Sequence, residues 1–117
     1  MGTAAARWTV ANSGTIQSTG SAGYGIDLAA RGTVENGVSG ATAALIAGYG
    51  GVLIRGKLAT VANYATIEGT GSKRNGVELR NGGRVANGGT GATAALISGS
   101  KHAVAIRNAA GTAISGH

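Results

Sequence analysis

Apolar residues alternate with polar residues over short stretches of the chain, and glycine, asparagine or serine bounds each stretch. One set of stretches has four members: Gly25-Ile-Asp-Leu28, Gly51-Val-Leu-Ile54, Gly76-Val-Glu-Leu79 and Ala103-Val-Ala-Ile106. A second set carries the isoleucines Ile16, Ile46, Ile67 and Ile97. Alternation with a period of two is typical of β-strands, and no stretch has the periodicity of a three-turn amphipathic helix. The pattern therefore predicts an all-β protein.

The same short stretches recur along the chain. Thr-Val-Ala-Asn at 9–12 returns in related form at 33–36, 60–63 and 84–87, with spacings of 24, 27 and 24 residues. Segment 9–32 aligns without gaps to 60–83, with 12 of 24 residues identical, and 33–48 aligns to 84–99 with 11 of 16 identical. The unit is thus a double repeat of 51 residues. A fixed period of this length indicates a solenoid.

The two sets of stretches and the Thr-Val-Ala-Asn segment give three short strands per repeat. This pattern predicts a single-domain parallel β-helix (β-solenoid) of about four coils of 24–28 residues. Successive coils of such a fold stack at the inter-strand spacing of about 4.8 Å. We expect an N-terminal leader or cap at 1–8, coils at 9–32, 33–59, 60–83 and 84–111, and a partial coil at 112–117. Segment 41–46 has helical propensity, but its place in a β repeat favours a strand or an extended loop.

The repeat alignment also predicts a column of asparagines at a bend. Its members are Asn12, Asn36, Asn63 and Asn87. An asparagine ladder satisfies backbone groups of the turns and forms hydrogen bonds along the stack. We therefore expect these four residues to have a structural role.

Composition excludes several classes of protein. Of 117 residues 23 are glycine, but 43% are apolar and only 12% charged, which is not the signature of a disordered chain. The absence of proline and of a Gly-X-Y period excludes collagen. The absence of cysteine excludes disulfides and thiolate metal sites. The longest apolar run, at 41–47, is too short to cross a bilayer.

Ten Lys and Arg residues against four Asp and Glu give a formal net charge of +6, which favours acidic partners. The position after the last apolar residue of the first set faces outward, and it holds Arg55, Arg80 and Arg107. Arg31 and Lys57 lie two residues beyond this position. Stacked like charges repel unless solvent screens them or an anion bridges them. These cations are a candidate site for an anionic polymer, an acidic polysaccharide rather than nucleic acid, because nucleic-acid binders add aromatic stacking and denser charge.

Asp27 and Glu78 occupy the outward column just before the arginines, at roughly 9.6 Å from each other by the strand spacing. This is close to the separation of the two carboxylates of an inverting glycosidase. A polysaccharide-acting enzyme is therefore a second alternative. Leu53 stands between the two acids on a face without a cleft, so we expect surface charges instead, with Glu78 able to pair with Arg80.

We expect no metal site and no cofactor. His102 and His117 are the only histidines, and neither neighbours a candidate ligand cluster. The glycine-rich segment 48–51 lacks the Gly-Lys-Ser/Thr ending of a phosphate loop. Trp8 precedes the first coil and is expected to cover the open N-terminal end of the core. Three tyrosines are expected to pack at turns: Tyr24, Tyr49 and Tyr64.

A family resemblance rests on three linked patterns: Val-x-Asn-x-Gly-Thr-Ile-x-Gly, Gly-Ile/Val-Asp/Glu-Leu and Gly-Gly-x-Val-x-Asn. They cover almost the whole chain, with the best matches at Val10-Ala-Asn-Ser-Gly-Thr-Ile16 and Val61-Ala-Asn-Tyr-Ala-Thr-Ile67. The chain resembles the passenger repeats of large bacterial autotransporter-type adhesins. The resemblance implies a right-handed β-helical stalk on the cell surface. Because a translocator barrel, a secretion signal and an obvious cap are missing, it implies a stalk segment rather than a complete adhesin.

These observations lead to one main expectation about function. We expect a non-catalytic structural repeat module of a bacterial surface or secreted protein. Open solenoid ends expose strand edges, and terminal coils usually need caps. We therefore also expect end-to-end stacking into homo-oligomers.

Overall fold

The structure is a computed structural model that describes residues 8–19, 23–37, 43–57, 59–88, 95–107 and 113–116. Within these residues it contains thirteen strands and no helix. The strands are β1 (Trp8–Asn12), β2 (Thr15–Gln17), β3 (Tyr24–Leu28), β4 (Gly32–Asn36), β5 (Leu45–Gly48), β6 (Gly50–Ile54), β7 (Ala59–Asn63), β8 (Thr66–Gly69), β9 (Asn75–Leu79), β10 (Gly83–Asn87), β11 (Leu96–Gly99), β12 (His102–Ile106) and β13 (Ala113–Gly116).

The strands form three parallel sheets, and each coil of the chain adds one strand to each sheet in turn. The first sheet has the order β1-β4-β7-β10-β13, the second β2-β5-β8-β11 and the third β3-β6-β9-β12. All strand pairs in these sheets are parallel. This arrangement confirms the predicted all-β parallel solenoid.

The core consists of columns of like residues that stack from coil to coil. The first sheet aligns Val10, Val34, Val61 and Val85, and the second aligns Ile16, Ile46, Ile67 and Ile97. In the two middle coils these side chains are fully buried. Branched side chains suit this environment because their few rotamers pack well on a pleated surface. The apolar columns therefore hold the coils in register.

Glycine is required where the chain turns from the second sheet into the third. A Cβ atom on Gly76 would lie 2.6 Å from the carbonyl oxygen of Ser98 in the next coil. A Cβ atom on Gly51 would collide with the carbonyl oxygen of Gly76. Side chains at this corner would push the coils apart, which explains part of the high glycine content.

The four asparagines stack at the end of the first sheet. Asn12 donates from Nδ2 to Oδ1 of Asn36 at 2.9 Å, Asn36 donates to Asn63 at 2.9 Å, and Asn63 donates to Asn87 at 2.7 Å. The same amide groups donate to carbonyl oxygens of the second sheet, including that of Thr66 at 2.7 Å. Asn36 and Asn63 are almost completely buried. The ladder thus joins the coils and closes the bend between the two sheets.

The described part of the solenoid ends in open strand edges. Strands β1, β2 and β3 lie at one end, and β11, β12 and β13 lie at the other. Trp8 is the first residue of β1 and is 41% exposed, whereas Leu96 begins β11 and is 50% exposed. These are the exposed large apolar side chains among the described residues; Leu96 lies on the outer face of the second sheet, because its neighbour Ile97 belongs to the inward column.

Candidate functional site: the charged outer face of the third sheet

The third sheet carries a line of three arginines along one edge. Arg55, Arg80 and Arg107 each follow the last residue of a strand, namely Ile54, Leu79 and Ile106. Their backbone N–H groups donate to the carbonyl oxygens of Leu28, Ile54 and Leu79 at 2.9, 3.0 and 2.9 Å. The structure therefore places the three arginines on consecutive coils. Their backbones are about one strand spacing, 4.8 Å, apart.

Arg55 is paired with the carboxylate of the coil before it. Its Nε donates to Oδ1 of Asp27 at 3.1 Å, and its Nη2 donates to Oδ2 at 3.0 Å. This two-point contact is the geometry in which guanidinium and carboxylate fit best. The hydrogen bond and the charge of Asp27 raise the pKa of Arg55 above its ordinary value. Both side chains are nearly half exposed, so solvent screens the pair.

Glu78 is the centre of a second and more buried network. Its side chain is 6% exposed, although it belongs to the outward column. Oε2 accepts from Nε of Arg80 at 2.9 Å and lies 4.0 Å from Nη1 of Arg107. Oε1 accepts from Nδ2 of Asn75 at 3.1 Å and from the Tyr24 hydroxyl at 3.3 Å. One carboxylate thus joins residues of three coils.

Tyr24 reaches this network by crossing a glycine. Its strand pairs with β6, where Gly50 is the residue opposite Tyr24. A Cβ atom on Gly50 would collide with the Tyr24 ring, so the ring lies over this position. The Tyr24 side chain extends from the first coil over the second coil to Glu78 in the third. Burial raises the pKa of the Tyr24 hydroxyl above its ordinary value, and the charge of Glu78 raises it further.

The surroundings of Glu78 keep its carboxyl group ionised. Burial disfavours the charged form. The hydrogen bonds from Arg80 and Asn75, with the charges of Arg80 and Arg107, outweigh burial and lower the pKa of Glu78 below its ordinary value. A general acid must instead hold a proton near neutral pH. Glu78 therefore has the environment of a structural carboxylate.

Leu53 lies between Asp27 and Glu78 in the outward column of the third sheet. The strand registers place it opposite both acids, and it is only 1% exposed. The centre of this outer face, at Leu53, is therefore shielded from solvent. The sequence alone did not predict this. A substrate between the two carboxylates would meet a buried leucine and two acids already bound by arginines. This arrangement does not favour the enzyme alternative that uses Asp27 and Glu78.

Arg31 and Lys57 lie at the turns that lead from the third sheet to the first. Gly56, next to Lys57, donates its N–H to the carbonyl oxygen of Ala30 at 3.3 Å, so the two cations are on adjacent coils. Both are exposed. Within the described residues no ion pair holds either of them. They stand apart from the paired arginines as free positive charge.

A further group of cations lies where the second sheet turns into the third. Lys73 and Arg74 precede β9, and Lys101 precedes β12. The N–H group of Lys101 donates to the carbonyl oxygen of Arg74 at 2.9 Å. The guanidinium carbon of Arg74 lies 5.1 Å from the centre of the Tyr49 ring. We call Lys73, Arg74 and Lys101 the basic corner.

Sequence reasoning missed the basic corner, although the signal was present. Tyr49, Arg74 and Lys101 each lie two residues before the first-set stretches that begin at Gly51, Gly76 and Ala103. Extending that register by two positions would have placed them in one column. His102 begins β12 beside this column and is exposed. His117 lies outside the described residues.

A surface pocket of about 100 Å³ lies near the bend between the first and second sheets, lined by Ala11, Asn12, Ser13, Glu35 and Gly37. Small-molecule sites usually enclose about 300 Å³ or more. Among the described residues, no three His, Cys, Asp or Glu side chains lie close enough together to hold a metal ion. The described residues also contain no helix that is long and apolar enough to span a membrane.

Comparison with known proteins adds no relative. No protein-family model matches the chain, and no curated protein or solved structure is significantly similar to it.

Proposed function

We propose that the chain is a non-catalytic structural module, a stalk or passenger segment of a bacterial surface or secreted adhesin-like protein. The main support is the continuous stack of coils, in which the asparagine ladder and the apolar columns run through four strands of the first sheet. The paired charges on the outer face bind one another. They do not line a cleft, and so they serve the rigidity of the solenoid. The resemblance of the repeats to adhesin passengers supplies the surface location.

The location is tested on cells that make the natural protein. An antibody raised against the folded chain should label intact cells or the secreted fraction, and protease added from outside should remove the cell label. Labelling that requires permeabilised cells would contradict the proposal.

The structural role is tested by lengthening the solenoid. A second copy of residues 9–59, placed directly after residue 59, adds two coils and should lengthen the particle by about 10 Å, twice the strand spacing. Small-angle scattering measures this change. A stalk keeps its function when it is lengthened, so adhesion or display by the parent protein should persist. A lengthened chain that fails to fold, or that abolishes display, would count against the stalk.

Binding of an anionic polymer along Arg31, Arg55, Lys57, Arg80 and Arg107 is a second candidate. The observation in its favour is that Arg31 and Lys57 are exposed on adjacent coils without an ion pair among the described residues. Binding of an acidic polysaccharide should weaken with salt and fall in the variants Arg31→Ala, Lys57→Ala and Arg80→Ala. No binding at low salt would exclude it.

End-to-end association of two copies is a third element of the proposal. The strand edges that are open at both ends of the described residues, with Trp8 of β1 exposed, are the surfaces that such stacking would cover. Light scattering should show a mass that rises with concentration and falls in Trp8→Lys. A monomer mass at high concentration would contradict it.

A further inference from the structure

The cations of the basic corner, like Arg31 and Lys57, have no acidic partner among the described residues. Asp27 and Glu78 are engaged by Arg55, Arg80 and Arg107. In the part of the chain that the structure describes, no carboxylate pairs with Lys73, Arg74 or Lys101. The corner therefore concentrates a share of the +6 net charge that the fold does not neutralise.

Arg74 holds a donor that the fold leaves unsatisfied. Its Nε is buried and has no hydrogen-bond partner among the described residues, while its guanidinium group lies over the Tyr49 ring. A Cβ atom on Gly71 would collide with that ring, so glycine at this position makes room for it. A desolvated donor without an acceptor is costly. The Tyr49 ring fixes the guanidinium group in place, so an anion that reaches its Nη groups would find them already positioned.

Lys73 occupies a left-handed backbone conformation that glycine, and sometimes asparagine or aspartate, adopts readily and other residues rarely do. Its φ is 57°, and it is the one described residue other than glycine with a positive φ. Left-handed backbone strains a side chain with a Cβ atom. In a chain with 23 glycines, this position nevertheless carries an exposed lysine. Strain of this kind often accompanies a functional residue.

We propose that the basic corner binds an acidic polysaccharide through its carboxylate or sulfate groups. Arg74 and Lys101 lie on adjacent coils, about 4.8 Å apart, so a linear polymer that runs along the solenoid axis meets cations on both coils. Arg74 supplies a planar two-point contact, and the two lysines supply mobile point charges. The site lies apart from Arg31 and Lys57 and does not depend on the stalk function.

The aromatic residues favour a polysaccharide over nucleic acid. Proteins that bind single strands stack bases on free aromatic faces. Here Arg74 lies over the Tyr49 ring, and Tyr24 packs over Gly50 toward Glu78. A duplex is read by a helix or a two-stranded ribbon in its groove, and the described residues form neither at this corner.

The test measures binding of three probes at about 50 mM salt: a heparin oligosaccharide, an oligogalacturonate and an oligothymidylate of equal charge. Lys73→Gly should weaken binding of a glycan probe about threefold, and Lys73→Gly with Lys101→Ala about tenfold, as expected for exposed charge contacts. Arg84→Ala is the matched control, because Arg84 is an exposed arginine on the first sheet. It should leave the affinity unchanged.

Lys73→Gly also separates binding from folding. Glycine relieves the positive φ, so the midpoint of unfolding should stay the same or rise while glycan binding falls. The proposal is overturned if no glycan binds, if the double variant binds as the parent does, or if Arg84→Ala weakens binding as much as Lys73→Gly. Equal or tighter binding of oligothymidylate would overturn the assignment to a polysaccharide.

Discussion

The asparagine ladder and the arginine column share three coils, yet they are stabilised in opposite ways. A carboxamide both donates and accepts, so Asn36 and Asn63 bind each other directly at 2.9 Å. A guanidinium only donates, and stacked arginines repel. Arg55 and Arg80 are instead held by the carboxylates of Asp27 and Glu78. A column of identical residues is therefore stabilising when each side chain can both donate to and accept from the next. A column of arginines needs a second residue type, here a carboxylate, to hold it.

The acids beside the arginine column are spaced by one double repeat, 51 residues. The outward column beside the arginines reads Asp27, Leu53, Glu78, Ala105, so an acid occurs in every second coil. Glu78 contacts an arginine of its own coil and another of the next coil. One carboxylate thus serves two coils.

The largest expected effect comes from breaking the amide column at its centre. Asn63→Ala should lower the free energy of unfolding by about 3 kcal/mol, because buried groups of Asn36 and Asn87 lose their partner. Asn12→Ala, at the partly exposed end of the column, is the control and should cost about 1 kcal/mol. Urea unfolding measures both. Equal losses would mean that the column is a set of independent turn contacts.

Removing the charge of Glu78, at the centre of the buried network, should lower the free energy of unfolding by a smaller amount. Glu78→Gln keeps the shape but places an amide against Arg80, and we expect a loss of about 1–2 kcal/mol. The cost is limited because Arg80 and Arg107 remain near solvent, with side chains 44% and 57% exposed. Glu35→Gln, an exposed acid in β4, is the matched control and should change stability little. A Glu78 variant as stable as this control would contradict the network.

The same network should give stability a defined pH dependence. The pKa of Glu78 is lowered in the folded chain, so its contribution is complete above the ordinary glutamate pKa of about 4.3. It is lost as the pH falls through the lower folded pKa. The difference in unfolding free energy between the parent chain and Glu78→Gln should therefore shrink from pH 7 to pH 3. A difference that is constant or grows would show that the charge of Glu78 is not what the network uses.

The smallest effect is expected at the exposed ion pair. Asp27→Asn should lower the free energy of unfolding by less than about 1 kcal/mol. This loss should disappear at about 1 M salt because exposed charges are screened. Thermal unfolding at low and high salt measures this. A large loss that persists in high salt would show that Asp27 acts through packing rather than through Arg55.

The fold was predictable from the sequence because β-solenoid packing repeats in the chain itself. Valine and isoleucine recur at the repeat spacing, so the repeat alignment alone predicts which residues stack in the core. The burial of Glu78 was not predictable in this way. It depends on the Tyr24 side chain, which lies over Gly50 of the second coil and donates to Glu78 of the third. These three positions hold different residues in the different coils. The basic corner was missed because Lys73 and Arg74 stand where the aligned first copy has uncharged residues.

The central claim is that the asparagine ladder couples the coils. It is tested most directly by a double-mutant cycle on Asn36 and Asn63. The unfolding free energies of Asn36→Ala, Asn63→Ala, the double variant and the parent chain give the interaction energy between the two residues. A shared hydrogen bond in a buried column predicts a stabilising coupling of about 1 kcal/mol. Additive losses, with a coupling of zero, would contradict the claim.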